Sequence, residues 1–301
     1  MKCNLCPQNC NINRSVSAGF CKTRGLSIAR VGLHQFEEPC ISGERGSGTI
    51  FFSGCNMRCV FCQNYNISHT GKGVEIDERQ LAEIMLYVQE KLRAENINLV
   101  SPAQFSDKIA TALRLIKDKL TIPVIYNTNG YEKVESLRAL DKLVDVYLPD
   151  FKYADNALAS RLSGAQNYFE TACASLQEMR RQQPSEVFVD GMIKKGVIVR
   201  LLVLPTHTDD AKRVLDYLAS FDKSLYVSVM AQYFPTDNAN NFAELSRRIT
   251  KREYQSVLEY FDNVGLVNGY SQQLTSATEE YVPEFNLEKA RQLVRDINEE
   301  K

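Results

Sequence analysis

Three thiols carry the strongest chemical signal in the chain. Cys55, Cys59 and Cys62 fall in the run Gly54-Cys55-Asn56-Met57-Arg58-Cys59-Val60-Phe61-Cys62, directly after the apolar segment Thr49-Ile50-Phe51-Phe52. Spaced C-x3-C-x2-C, three thiolates can bind three irons of a cubane [4Fe–4S] cluster and leave the fourth iron without a protein ligand. An iron open in that way is a place for a cofactor or substrate to bind, so the loop reads as a catalytic centre. A structural zinc site is the alternative, but zinc favours four protein ligands in a closed tetrahedron. Three cysteines with a ligand vacancy are the iron–sulfur pattern instead.

A second cysteine group lies upstream. Cys3, Cys6, Cys10 and Cys21 are spaced C-x2-C-x3-C-x10-C in a short polar segment with no hydrophobic period. So little chain cannot fold on apolar burial alone, and a bound metal would supply the missing stability. Four thiolates saturate a metal, so this group is expected to be structural or electron-relaying. Zinc is the first expectation, a second iron–sulfur cluster the next, and a metal-free segment the last. Cys40 and Cys173 read as plain buried thiols.

The bulk numbers exclude several function classes. Lys+Arg 36 against Asp+Glu 37 gives a net charge of −1, so no global field recruits nucleic acid or an anionic membrane. No apolar run approaches the ~20 residues that cross a bilayer, and the first residues hold no signal-peptide core. A cytoplasmic protein is expected, in which nine cysteines point to metal ligation and not to disulfides. His34, His69 and His207 form no HExxH or HxH pair, and no Gly-x-Ser-x-Gly elbow exists, which leaves hydrolase readings unsupported.

The cysteine loop needs a scaffold, and the pattern from residue 48 onward supplies one. Strands are expected at 48–53, 97–100, 123–126, 144–148, 197–204 and 225–230, the last clear strand, with a hairpin of 187–189 and 192–194 around Asp190-Gly191. Between them lie helical patterns at 77–92, 104–119, 132–140, 154–181 and 210–220, followed by 243–261 and 287–298. Asp77 and Gln80 form a capping box, and Leu81, Met85, Val88 and Leu92 an apolar stripe. Such alternation implies parallel βαβ units with right-handed crossovers. The fold class is therefore α/β, a partial or full TIM-like (β/α) barrel at 48–301 behind a cysteine-rich extension at 1–47. An open doubly wound sheet is the alternative, but no Gly-x-Gly-x-x-Gly follows a strand.

In such a barrel the reactive loops stand at the C-terminal ends of the strands. Asn127-Thr128-Asn129-Gly130, Asp150-Phe151-Lys152 and Gln232-Tyr233 occupy those positions. Arg200 sits within an apolar run, where its charge must find an anion.

The cysteine loop resembles the signature of the radical S-adenosylmethionine (AdoMet) enzymes. The resemblance implies that AdoMet chelates the open iron through its amino and carboxylate groups and is cleaved reductively to a 5′-deoxyadenosyl radical. It also places Phe61 near the adenine. With Asn127–Tyr131, Tyr147–Lys152 and Arg200–Pro205 added, nearly the whole chain resembles the pyruvate formate-lyase activating enzymes. The likeness is to a branch with a cysteine-rich N-terminal segment and a run equivalent to Glu38-Pro39-Cys40-Ile41-Ser42-Gly43. By that resemblance Asn127 and Thr128, like Asp150 and Lys152, belong to loops that help hold a monovalent cation and AdoMet. Arg200 would meet the AdoMet carboxylate through a bidentate contact. Ser101 and Gln104 stand where relatives carry a Gly-Gly-Glu run that receives the AdoMet amino group. Two departures accompany the likeness: Asn127 replaces an acid, and no carboxylate occurs in Ser101-Pro102-Ala103-Gln104.

The function that follows is hydrogen abstraction by radical AdoMet chemistry, with a glycine of a glycyl-radical enzyme as the implied target and a flavodoxin or ferredoxin as electron donor. A small molecule or modified nucleotide is a second class of substrate. A zinc-stabilised binding protein is the non-enzymatic alternative.

Overall fold

The frame of the molecule is an arc of seven parallel strands. The computed structural model describes residues 2–236, 238–278 and 282–299. In chain order its strands are β1 (Ser27–His34), β2 (Ser47–Phe52), β3 (Val74–Glu75), β4 (Ile97–Val100), β5 (Val124–Thr128), β6 (Val146–Pro149), β7 (Val187–Val189), β8 (Met192–Leu202), β9 (Tyr226–Met230) and β10 (Asn268–Ser271). They form one sheet in the order β10-β9-β8-β6-β5-β4-β2-β1-β3, with β7 added on β8. Neighbours from β2 to β10 are parallel, whereas β1 runs antiparallel to β2 and β3 antiparallel to β1. The order does not close on itself, so the structure is a partial barrel, as expected from the alternating pattern.

Local chemistry explains the elements. Every residue of β2, β4 and β6 is buried, because a parallel strand is covered on both faces. The helix Glu78–Glu90 begins at the expected capping box: Asp77 accepts the Gln80 N–H, and the Gln80 side chain accepts the Asp77 N–H. The region expected as one helix over 154–181 is two, Asn156–Ser163 and Tyr168–Gln182. Gly164 ends the first in the left-handed conformation at φ 62°. The hairpin turns at Asp190-Gly191, both at positive φ. Its second arm and the run at 197–204, expected as separate strands, are the single strand β8.

Three strands escape the sequence pattern: β1, the two-residue β3 and β10. β10, of sequence Asn-Gly-Tyr-Ser, is short, polar and half-exposed, and it lies beyond the strand expected to be last. β1 falls inside the 1–47 segment, yet it pairs with β2 from Ile28 to His34.

The strand pleat sorts side chains into two layers. Tyr126, Tyr147, Val199 and Val227 face the helices and join the main core. Ile125, Val146, Leu148 and Ile198 face the barrel interior and pack with Cys40 and Ile41. The short helix Pro39–Ser42 thus plugs the barrel floor. It confirms Cys40 as a buried thiol, while Cys173 is only partly buried.

Candidate active site

Directly beyond β2 the chain turns at Ser53-Gly54 into the cysteine loop. Gly54 takes φ 73°, and a side chain there would lie 2.1 Å from the Cys21 carbonyl oxygen, so glycine is required by both conformation and space. The loop backbone is pinned from the far side: the Arg58 N–H donates to Ser163 O (2.8 Å) and the Val60 N–H to Leu162 O (2.9 Å). Cys55, Cys59 and Cys62 all open onto one cavity of about 560 Å³ at the C-terminal rim of the strands. That volume is in the range of small-molecule sites, ~300–1,000 Å³.

Each sulfur meets donors. Cys55 Sγ receives Asn129 Nδ2 (3.3 Å) and the Met57 N–H (3.4 Å), Cys59 Sγ receives the Ser163 hydroxyl (3.0 Å), and Cys62 Sγ lies 3.2 Å from Ser68 Oγ. Burial raises all three thiols, Cys59 to about 11, so metal binding would release their protons. Donors aimed at sulfur suit an iron–sulfur cluster, whose potential such bonds tune. Among the described residues no three His, Cys, Asp or Glu side chains gather around a single-ion position.

The strand ends build the rest of the wall. Phe61 is buried and packs edge-on against Tyr233 at 6.2 Å between ring centres. Asp150 and Lys152 pair at 2.5 Å and both line the cavity. Burial opposes charge on Lys152, but Asp150 and then Cys59 outweigh it and hold the ammonium above its ordinary value. Gly130, at φ 74°, lets the 127–130 turn close against Asp150, whose carbonyl a side chain would meet at 2.3 Å. Ser101 lines the cavity at φ 57°, and its N–H donates to Asn127 O (3.0 Å).

Three expected residues stand differently. Thr128 points away from the cavity, because it follows Asn127 on a pleated strand; its hydroxyl donates to Glu132 Oε1 at 2.6 Å. Gln104 is buried behind the loop, where its amide donates to the carbonyls of Ser53, Gly54 and Ser101. It braces the cysteine loop and does not face the cavity. Arg200 does line the cavity, but the protein itself supplies its anions: Nε donates to Glu38 Oε1 (2.9 Å), and Nη2 contacts both Glu37 and Glu38. Those carboxylates hold the guanidinium well above its usual value against the opposing effect of burial. The argument that Arg200 must find an AdoMet carboxylate therefore falls away.

Sequence reasoning gave no individual role to Asn129, Glu37 or Glu38. The signal for Asn129 was its place in a strand-end loop. The two glutamates precede the barrel altogether, and only the plug at Pro39–Ser42 brings them to Arg200.

The N-terminal cysteine segment seats on the back of the cysteine loop. Gln8 Nε2 donates to Asn56 O (2.9 Å) and Gly164 O (3.0 Å), and Arg14 Nη1 to Gln104 O (2.7 Å). The Arg58 guanidinium lies over the Phe20 ring. Cys6 and Cys21 are buried, while Cys3 and Cys10 are partly exposed. Burial pushes Cys6 up to about 12, with Cys21 and Cys10 adding to it. Among the described residues these four sulfurs do not gather around a single-ion position.

A family model described as the radical SAM superfamily matches residues 49–218. An uncharacterized protein of Methanocaldococcus jannaschii is 31% identical over 277 residues, covering 88% of this chain and 75% of that one. A radical SAM methyltransferase from Sphaerobacter thermophilus shares the fold with a TM-score of 0.52 at 15% identity, over 74% of this chain and 65% of the other. Streptococcus suis SuiB, crystallised with S-adenosylmethionine, gives 0.51 at 13% identity over 79% of this chain, which spans about half of SuiB (52%). Among the described residues no helix is long and apolar enough to cross a membrane.

Proposed function

We propose, from the premise that the chain belongs to the radical SAM superfamily, that it takes a hydrogen atom from a glycine of a partner enzyme. Membership brings with it a [4Fe–4S] cluster and AdoMet. The observation that carries the site assignment is that Cys55, Cys59 and Cys62 open together onto one cavity. When bound there, the cluster and AdoMet supply the electron and the carbon–sulfur bond whose cleavage gives a 5′-deoxyadenosyl radical.

The chain's own residues hold, orient and shield. Asn129, Ser163 and Ser68 direct donors at the three sulfurs. Phe61 and Tyr233 offer an aromatic wall, and Asn127, Ser101, Asp150 and Lys152 a polar one. We assign these to AdoMet, with Arg200 as a positioning residue behind them. Cys40 and Ile41 close the barrel from below and keep water from entering by that route.

The glycine target is supported by the likeness of Asn127–Tyr131 and Tyr147–Lys152 to the activating enzymes. The four N-terminal cysteines are read as a second metal set, on their spacing alone.

Anaerobic reconstitution with iron and sulfide, then dithionite and AdoMet, should yield 5′-deoxyadenosine. Cys55→Ala, Cys59→Ala and Cys62→Ala should each abolish it, and a variant that kept it would sink the assignment. Mixing the reduced enzyme with a candidate glycyl-radical protein should give a protein radical by electron paramagnetic resonance. Turnover of a small molecule with no such radical would replace the glycine reading. Metal analysis of wild type against a Cys6→Ala, Cys21→Ala double variant tests the second set.

A further inference from the structure

We propose that His69 is a positioning residue for the cluster: its Nδ1 donates to the Ser68 hydroxyl and thereby commits that hydroxyl's proton to Cys62. The assignment rests on the cluster reading above and adds to it a residue that does not line the cavity.

The first ground is the proton count at Ser68. Its Oγ lies 3.2 Å from Cys62 Sγ and 2.9 Å from His69 Nδ1, and these are its side-chain partners among the described residues. A hydroxyl has one proton to give and two lone pairs with which to accept, so it donates to only one of the two. In the metal-free protein either direction works, because a Cys62 thiol can itself donate to the oxygen. Ligation to iron removes that freedom. The sulfur is then a thiolate, which only accepts. Its bond with Ser68 takes the Ser68 proton, and the bond between Ser68 and His69 must take a proton from Nδ1.

The second ground is that the ring is held in place. His69 stacks on Tyr65 at 4.3 Å between ring centres and 27° between planes, the two residues standing one helical turn apart. Burial, with the Arg58 charge added, pushes the imidazole down to about 4, against a pull from a hydrogen bond to the Arg58 backbone. At neutral pH the metal-free ring therefore carries one proton, and its bonded neighbours decide which nitrogen holds it. Ser68 is buried, so a bond left unmade at its oxygen would not be replaced by bulk water.

Direction has a consequence at the metal. A run of bonds from Nδ1 to hydroxyl to sulfur polarises each member the same way, which strengthens the last of them. A donor at a cluster sulfur favours the reduced, more negative state. His69 thus raises the potential through a residue it touches. In the reverse arrangement His69 would take the Ser68 proton, Cys62 would receive none, and removing His69 would hand that proton to the sulfur. The two arrangements differ in the sign of the effect.

The test is a redox titration of the full-length, cluster-reconstituted protein by electron paramagnetic resonance, with iron measured on each sample. Ser68→Ala and His69→Phe, the latter keeping a ring for Tyr65, should both make the reduction potential more negative. A more positive potential in His69→Phe, or no shift in either variant, overturns the assignment. Should a variant fail to hold iron, the wild-type protein decides, by nitrogen NMR of isotope-labelled histidine. Only three histidines contribute, and replacing His34 and His207 in turn assigns the signals of His69. The loaded protein must show a proton on His69 Nδ1, and a bare Nδ1 overturns the proposal. A wild-type protein that took up no cluster would overturn the cofactor reading itself, and this assignment with it.

Discussion

Asn129 reaches across from the end of β5 to the cysteine loop: its Nδ2 lies 3.3 Å from Cys55 Sγ and 2.7 Å from Asn56 Oδ1. Asn56 in turn donates to Tyr131 O at 2.6 Å. A strand end and the loop after β2 are thereby locked around one sulfur.

Replacing that amide should tune the cluster without removing it. An N–H directed at a cluster sulfur favours the reduced, more negative state. Asn129→Leu should retain near-normal iron but show a more negative reduction potential in an electron paramagnetic resonance redox titration. Complete loss of iron would mean that Asn129 builds the loop instead of tuning it.

Gly54 is the second control point. Gly54→Ala must adopt a left-handed backbone, at a cost of about 1–3 kcal/mol, and its methyl would collide with the Cys21 carbonyl. The variant should melt lower, and Cys21 should react faster with thiol reagents in the metal-free protein. Unaltered labelling would show that the two cysteine segments are not mechanically joined.

Arg200 is expected to stabilise the fold as well as the site. Arg200→Met leaves Glu37 and Glu38 buried without their cation, and breaking such a pair costs about 3–5 kcal/mol. Denaturant midpoints measure the loss. Arg200→Lys should recover only part of it, since an ammonium cannot reproduce the two-pronged grip on Glu38.

Glu132 gives the stability of the protein a pH dependence. Burial raises its carboxyl to about 7 from an ordinary 4.5, against the lowering effect of Thr128 and Tyr126. The folded state holds this proton more tightly than the unfolded state does. The stability it confers is complete below about pH 4.5 and declines as pH rises toward 7, by on the order of 3 kcal/mol. Glu132→Gln, which keeps an acceptor for Thr128, should flatten that decline in urea midpoints taken from pH 5 to 8. An unchanged slope would place the titrating group elsewhere.

What could be read from sequence followed the range of the interactions. The cysteine loop, the capping box at Asp77 and the strands β4, β5, β6 and β9 are encoded within a few residues, and each stands where expected. The face of Thr128 was misjudged because motif likeness carries no pleat: on β5 only alternate residues enter the barrel. Gln104 lies in the helical turn Ala103–Phe105 after β4, from which its amide folds back onto the cysteine loop. Arg200 was recognised as a charge in need of a partner, but its partners lie 162 and 163 residues away. β10 has no apolar alternation to reveal it, and it forms because β9 offers it an edge.

The seat of the N-terminal segment also dictates an order of assembly. Gln8 is bonded to Gly164, 156 residues downstream, and Cys21 closes over Gly54. The seat of the Cys3–Cys21 segment is therefore complete only once Gly164 has been made. Until the helix Asn156–Ser163 has been made, the Arg58 and Val60 N–H groups of the cysteine loop lack their Ser163 and Leu162 acceptors. Before that point the loop that carries Cys55, Cys59 and Cys62 is not yet pinned along its backbone.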